Sequence, residues 1–190
     1  MNIMIVGVGG QGTLLCSRLL GEAFVAMGRE VKVSEVHGMS QRGGSVVTYV
    51  KCGDEVFSPL VERGEADLIL AFEQLEAARW LPYLSPGGRM LVNTQIINPM
   101  PVITGAAQYP EGILDWLTAN VPGSVTLDAL KLAEEAGSPR AVNTVLVGAM
   151  VAVLNLPKDV FETALEKTVP PKFLKLNKIA FEKGFAAVSR

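Results

Sequence analysis

The sequence predicts an α/β chain: a Rossmann-like three-layer domain, mostly parallel sheet, with a hairpin insertion and a helical C-terminal third. Three observations predict it. The apolar run Asn2-Ile3-Met4-Ile5-Val6 leads into Gly7-Val8-Gly9-Gly10-Gln11-Gly12 and then into a helical pattern over 13–27. Short apolar runs recur further on with helical stretches between them, as βαβ architecture requires. After residue 143 the strand patterns stop and only helical ones follow.

Each element has its own reason. Over 13–27, Cys16, Leu19, Leu20, Ala23, Phe24 and Met27 share one helical face, with Arg18 and Glu22 on the other. Gly28 is placed to end that helix. Val31, Val33 and Val36 mark a second strand, and the β-branched, aromatic run at 45–50 a third. Gly53-Asp54 is a turn signal, so residues 55–57 are expected to return antiparallel beside the third strand. Residues 67–72 and 89–93 read as buried strands with a helix over 73–81 between them. The proline-bearing stretch 94–110 reads as loop, with one short strand at Val102-Ile103. A helix over 113–119, a strand over 124–127 and a helix over 130–136 follow. Asn143 is expected to cap an apolar helix over 144–154, and Pro157 suits the start of the next. In the final helix Phe173, Leu176, Ala180 and Phe181 share a face that also carries Asn177. No linker or repeat divides the chain, so residues 1–190 are expected to form a single domain.

Composition excludes several functions. The 190 residues are 49% apolar and 19% charged, with a net charge of −2. Nucleic-acid binding would need a clustered basic surface, which this chain lacks. No run reaches the roughly 18–20 uninterrupted apolar residues of a membrane span, and the longest, 145–156, reads as a buried or interface helix. The N-terminus lacks a basic leader and enters a strand at once, so no secretory signal is expected. Two cysteines, Cys16 and Cys52, are too few for a four-cysteine iron–sulfur cluster and form no CxxC pair. The expected compartment is the reducing cytoplasm.

Two glycine-rich loops carry the candidate site. Gly7, Gly9, Gly10, Gln11 and Gly12 sit between a strand and a helix start, where backbone N–H groups can meet an anion. The second loop, with His37, Ser40, Gln41, Arg42, Gly43 and Gly44, begins where the second strand should end. Carboxyl ends of strands share one crevice in a doubly wound sheet, so both loops are expected to face one ligand or partner. The first loop matches G-x-G-x-x-G, and Glu35 stands where a ribose-binding acid is expected, so NAD or FAD is one reading. Glu35 can instead pair with Arg42 and shape the second loop. Arg42, among residues of little bulk, can reach a phosphate or carboxylate bidentately. His37 is the only histidine, which makes neither a metal site nor a complete triad. No catalytic residue and no metal ligand is expected in this chain.

The two loops, with Ser58-Pro59-Leu60, the stretch 67–73, Asn143-Thr144 and residues 177–181, resemble the gamma-type domain of 2-oxoacid:ferredoxin oxidoreductases over nearly the whole chain. The His37-Gly38-Met39-Ser40-Gln41-Arg42 form resembles the small beta subunit of the indolepyruvate branch. The resemblance implies a subunit of an enzyme that decarboxylates an aryl 2-oxoacid, acylates coenzyme A and passes electrons to ferredoxin. It implies that thiamine diphosphate, magnesium and iron–sulfur clusters sit in a large partner subunit, and that the loops contact coenzyme A phosphates, the substrate channel or that partner. It weakens the dinucleotide reading, since the family does not use NAD. The gamma subunit of a pyruvate or 2-oxoglutarate enzyme is the alternative. Another reading makes the chain an assembly module that docks through the apolar helix over 145–156. Isolated, the chain is expected to self-associate as a homo-oligomer through partner-facing apolar surface.

Overall fold

The computed structural model describes residues 1–37 and 43–189, the side chain of His37 excepted. Six strands form one sheet: β1 (Asn2–Val8), β2 (Glu30–His37), β3 (Ser45–Gly53), β4 (Ala66–Ala71), β5 (Leu84–Asn93) and β6 (Val125–Leu127). Their order across the sheet is β2-β3-β1-β4-β5-β6. β1, β4, β5 and β6 run parallel. β3 is antiparallel to β1 on one side and to β2 on the other, so it alone runs against the rest.

Alternation along the strands supplies a core on each face. In β1, Ile3 and Ile5 point to one face, and Met4 and Val6 to the other. The first face is covered by α1 (Thr13–Ala26), α5 (Ala129–Glu135), α6 (Val142–Val153), α7 (Lys158–Thr168) and α8 (Pro171–Val188). The second is covered by α2 (Gln74–Trp80) and α4 (Ile113–Asn120). α1 buries the face read from its periodicity, and Phe24 meets Phe161 of α7 edge-on at 5.8 Å.

Four expectations are corrected. Residues 55–57 form no strand, because β3 is already paired along both sides. The backbone of Val56 is held by β2 side chains instead: its N–H donates to Glu30 Oε2 (2.9 Å) and its carbonyl accepts from Lys32 Nζ. The hairpin of this fold is therefore β2–β3, and it places β3 between β1 and β2. Val102 and Ile103 lie in a short helix, α3 (Met100–Ile103), whose early prolines fit a first turn that needs no N–H. Asn143 does not cap α6, which starts two residues earlier than expected, at Val142, with Ala141 in the cap position. Phe173 is 48% exposed, while Asn177, Ala180, Phe181 and Gly184 form the buried face of α8.

α6 runs through the middle of the first layer with every residue from Val142 to Val151 buried. A helix apolar all round belongs in a core, and here the sheet, α1, α5 and α8 enclose it. The docking face expected of this helix is consequently not available. Among the described residues, no helix is long and apolar enough to cross a membrane.

Candidate functional site

β1 ends at Val8, and the chain turns through the first glycine loop at the carboxyl edge of the sheet. The second loop reaches the same edge, because Val8 pairs with Ser45, and His37 with Val46. Gly9 N–H donates to Gly44 O at 2.9 Å, which joins the two loops directly. Ser40, Gln41 and Arg42 lie outside the described residues, as does the side chain of His37.

The loop glycines are required for different reasons. A Cβ on Gly7 would stand 2.8 Å from Gln11 Oε1 and 2.9 Å from Phe72 Cβ, so its role is close packing. Gly10 has φ +101° and open space before it. Gly12 has φ +86°, and a Cβ there would sit 2.8 Å from Asn143 Nδ2. Asn143, in the first turn of α6, donates through Nδ2 to Gly12 O at 3.4 Å. Gln11 turns its side chain inward: Oε1 accepts from Val8 N–H (2.7 Å), and Nε2 donates to Phe72 O (3.0 Å) and Gln95 Oε1 (3.2 Å). Gln11 thus presents backbone, not amide, to the outside of the loop.

The helices that follow β1, β4 and β6 treat their orphan N–H groups differently. In α2 these groups are consumed: Gln74 N–H donates to Gln95 O (3.3 Å), Leu75 N–H to Tyr109 Oη (3.2 Å) and Glu76 N–H to Glu73 Oε2 (3.0 Å). In α5, Ala129 N–H donates to Asn93 Oδ1 (3.1 Å) and Lys131 N–H to Asp128 Oδ1 (3.0 Å). α1 begins from Gly12, which offers no side-chain cap. Of these three, α1 is the one without a side-chain cap at its positive end.

Two clefts flank the glycine loop. One of about 670 Å³ is walled by residues 9–12 and, across from them, Gln95, Ile97 and Arg140. The other, about 360 Å³, lies between the loop, Leu14, Glu35 and Val46. Glu35 is on β2, two strand spacings or roughly 10 Å from β1, because β3 intervenes. In a dinucleotide fold the two strands are neighbours, so the inserted β3 removes the usual ribose geometry. Arg140 is an exposed cation on the wall opposite the glycines. Among the described residues, no group of three His, Cys, Asp or Glu side chains could hold a metal ion. Burial pushes the Cys16 thiol far above its ordinary range and raises that of Cys52.

The sequence reading missed Arg140, Gln95, Asn93, Glu73 and Glu76. Asn93 is fully buried and holds the edge together, with Nδ2 donating to Phe72 O (3.0 Å) and Oδ1 accepting from α5. A polar residue directly after a buried strand run was the available signal for Asn93 and for Glu73.

The arrangement defines a Rossmann-like α/β domain whose two glycine loops are joined at one edge of the sheet. The chain belongs to the pyruvate ferredoxin/flavodoxin oxidoreductase family, whose sequence profile matches residues 2–187. It is 43% identical to the indolepyruvate oxidoreductase subunit IorB of Pyrococcus horikoshii, over 98% of this chain and 95% of that one. It is 42% identical to the subunit of the same name in Thermococcus kodakarensis, again over 98% and 95%. Among solved structures, the gamma subunit of a keto/oxoacid ferredoxin oxidoreductase from Geobacter sulfurreducens superposes with a TM-score of 0.74 at 27% identity. That match covers 98% of this chain and 97% of the other.

Proposed function

We propose that the chain is a single gamma-type domain that serves as the small subunit of a cytoplasmic indolepyruvate:ferredoxin oxidoreductase. The observation that carries this reading is near-full-length identity of 43% and 42% to two indolepyruvate oxidoreductase subunits. The holoenzyme converts an aryl 2-oxoacid, coenzyme A and two oxidised ferredoxins to acyl-coenzyme A, carbon dioxide, a proton and two reduced ferredoxins. The two cysteines, Cys16 and Cys52, are too few for a four-cysteine iron–sulfur cluster. Thiamine diphosphate, magnesium and the clusters are accordingly assigned to the large partner, where they supply decarboxylation and electron transfer.

This chain's contribution is a binding edge. The backbone N–H groups of Gly9, Gly10, Gln11 and Gly12 and the uncapped start of α1 suit an anionic group such as the phosphates of coenzyme A. Arg42 and Arg140 add charge, His37, Ser40 and Gln41 add hydrogen-bonding groups, and Gly43 and Gly44 keep the second loop lean.

Two substitutions in the assembled enzyme test this. Arg140→Ala is expected to raise KM for coenzyme A about tenfold with little change in kcat, the loss of one solvent-exposed charge-assisted contact. Arg42→Ala is expected to lower kcat/KM for coenzyme A roughly 30-fold, equivalent to about 2 kcal/mol. Unchanged coenzyme A kinetics in both variants would contradict the assignment. Comparison of indolepyruvate with pyruvate and 2-oxoglutarate in the same assay tests the substrate, with aryl preference expected.

A further inference from the structure

Two carboxylates lie buried where water cannot solvate them. Glu73 is 1% exposed and Glu76 is 4% exposed, and they occupy the cap and third position of the same short helix, α2. Burying a carboxylate is costly unless it is paired and fully hydrogen-bonded. Only one cation attends them among the described residues: Arg79, whose Nε donates to Glu76 Oε1 at 3.1 Å. Their remaining partners are informative. Glu73 Oε1 accepts from Ile97 N–H (3.2 Å) and from the Tyr109 hydroxyl, which itself accepts from Leu75 N–H. Glu76 Oε2 accepts from Trp80 Nε1–H (3.2 Å) and from the Ser45 hydroxyl.

The two acids therefore hold two different rims. Glu73 holds Ile97 and Tyr109 of the segment 94–110, which supplies Gln95 and Ile97 to the larger cleft. Glu76 grips Ser45, the first residue after the second glycine loop and the residue opposite Val8. Ser45 directly follows Gly44, whose carbonyl receives Gly9 N–H. One hydrogen bond thus ties Glu76 to the residue next to the junction of the two loops. α2 is itself fixed, since its Ala77 packs in the second core.

From this we infer that Glu76 is a positioning residue for the reaction: through Ser45 it holds the neighbouring Gly44 against Gly9 of the first glycine loop, while Glu73 sets the opposing rim. The inference rests on the loops' proposed role at coenzyme A. A helical acid would ordinarily sit in solvent and cap or pair locally. Here it is desolvated in order to accept from a strand residue 31 positions earlier.

The test uses the assembled oxidoreductase carrying Ser45→Ala, Glu76→Ala or Glu76→Gln, with hydrogen exchange and steady-state kinetics measured on each. Ser45→Ala and Glu76→Ala are expected to speed exchange of the amides over 43–46 about tenfold, the size of one charge-assisted hydrogen bond. They should also raise KM for coenzyme A more than they lower kcat. Glu76→Gln can still bond Ser45, whose hydroxyl can turn to accept, so it should restore most of both. Exchange that is unchanged in Ser45→Ala would overturn the tether. Faster exchange with normal coenzyme A kinetics would leave the tether standing but overturn its role in the reaction, and would count against the loops' proposed contact as well. If Glu76→Ala fails to assemble, Ser45→Ala decides alone, since it removes the same bond while Glu76 keeps Arg79 and Trp80 as partners.

Discussion

Gly148→Ala and Gly184→Ala are each expected to destabilise the chain by about 3 kcal/mol, the upper end of the usual cost of overpacking. For a chain of this size that corresponds to a fall in Tm of roughly 6–12 °C. The two glycines mark where α6 and α8 touch backbone to backbone. A Cβ on Gly148 would stand 2.0 Å from Phe181 O, and one on Gly184 would stand 1.9 Å from Val145 O. Neither obstacle is the tip of a flexible side chain, so the helices themselves would have to separate. Separation would also stretch the buried bond from Thr144 Oγ1 to Asn177 Oδ1, which spans the same two helices at 2.6 Å. Gly21→Ala is the control. Gly21 lies inside α1 with nothing within 4 Å of an added Cβ, so alanine there should stabilise by roughly 0.5–1 kcal/mol through helix propensity. Thermal melts of the three variants check both signs. If Gly148→Ala melted with the wild type, the close approach of α6 and α8 would be wrong.

Val147→Asp is expected to abolish folding outright. Val147 is 1% exposed, and an unpaired carboxylate in that apolar layer belongs to the class of substitutions costing more than about 4–5 kcal/mol. The expected result is an insoluble or protease-sensitive chain. Ile179→Asp, on the 41% exposed side of α8, should remain folded. The contrast separates two readings of the same apolar helix. A folded Val147→Asp chain that merely lost its partner would restore α6 as a docking face, against its position in the core.

Much of the fold was legible in the residues. The strand–glycine–helix opening, the buried run at 67–72 and the helical last third all follow from period and from the placement of glycine. The order of the strands did not follow. Nothing in the run at 45–50 says that it pairs on both sides, and only that double pairing denies residues 55–57 a place in the sheet. Val102 and Ile103 are β-branched, yet the prolines at 99 and 101 preset a helical first turn, and local backbone geometry prevailed over side-chain propensity. Gly148 and Gly184 look in sequence like ordinary glycines inside helices. Their need for contact emerges only when two segments 36 residues apart cross.

The candidate site divides along the same line. The first glycine loop was legible because phosphate-suited backbone has a sequence signature of its own. Arg140 was not, since a lone arginine after Ser138-Pro139 gives no sign that it faces residues 9–12 across a cleft. Glu73 and Glu76 were hidden for a different reason: acids at the start of a helix usually report a solvated face and a favourable dipole. Their burial is set by segments that arrive from 24 to 36 residues away.

The most direct test of the central claim is purification of the tagged chain from its native host without oxygen, followed by assay of whatever accompanies it. The expected result is a large iron–sulfur partner whose complex reduces ferredoxin or a viologen only when an aryl 2-oxoacid and coenzyme A are both present. Recovery of the chain alone, with tight binding of NAD or FAD, would contradict the subunit assignment and return the glycine loop to a dinucleotide role.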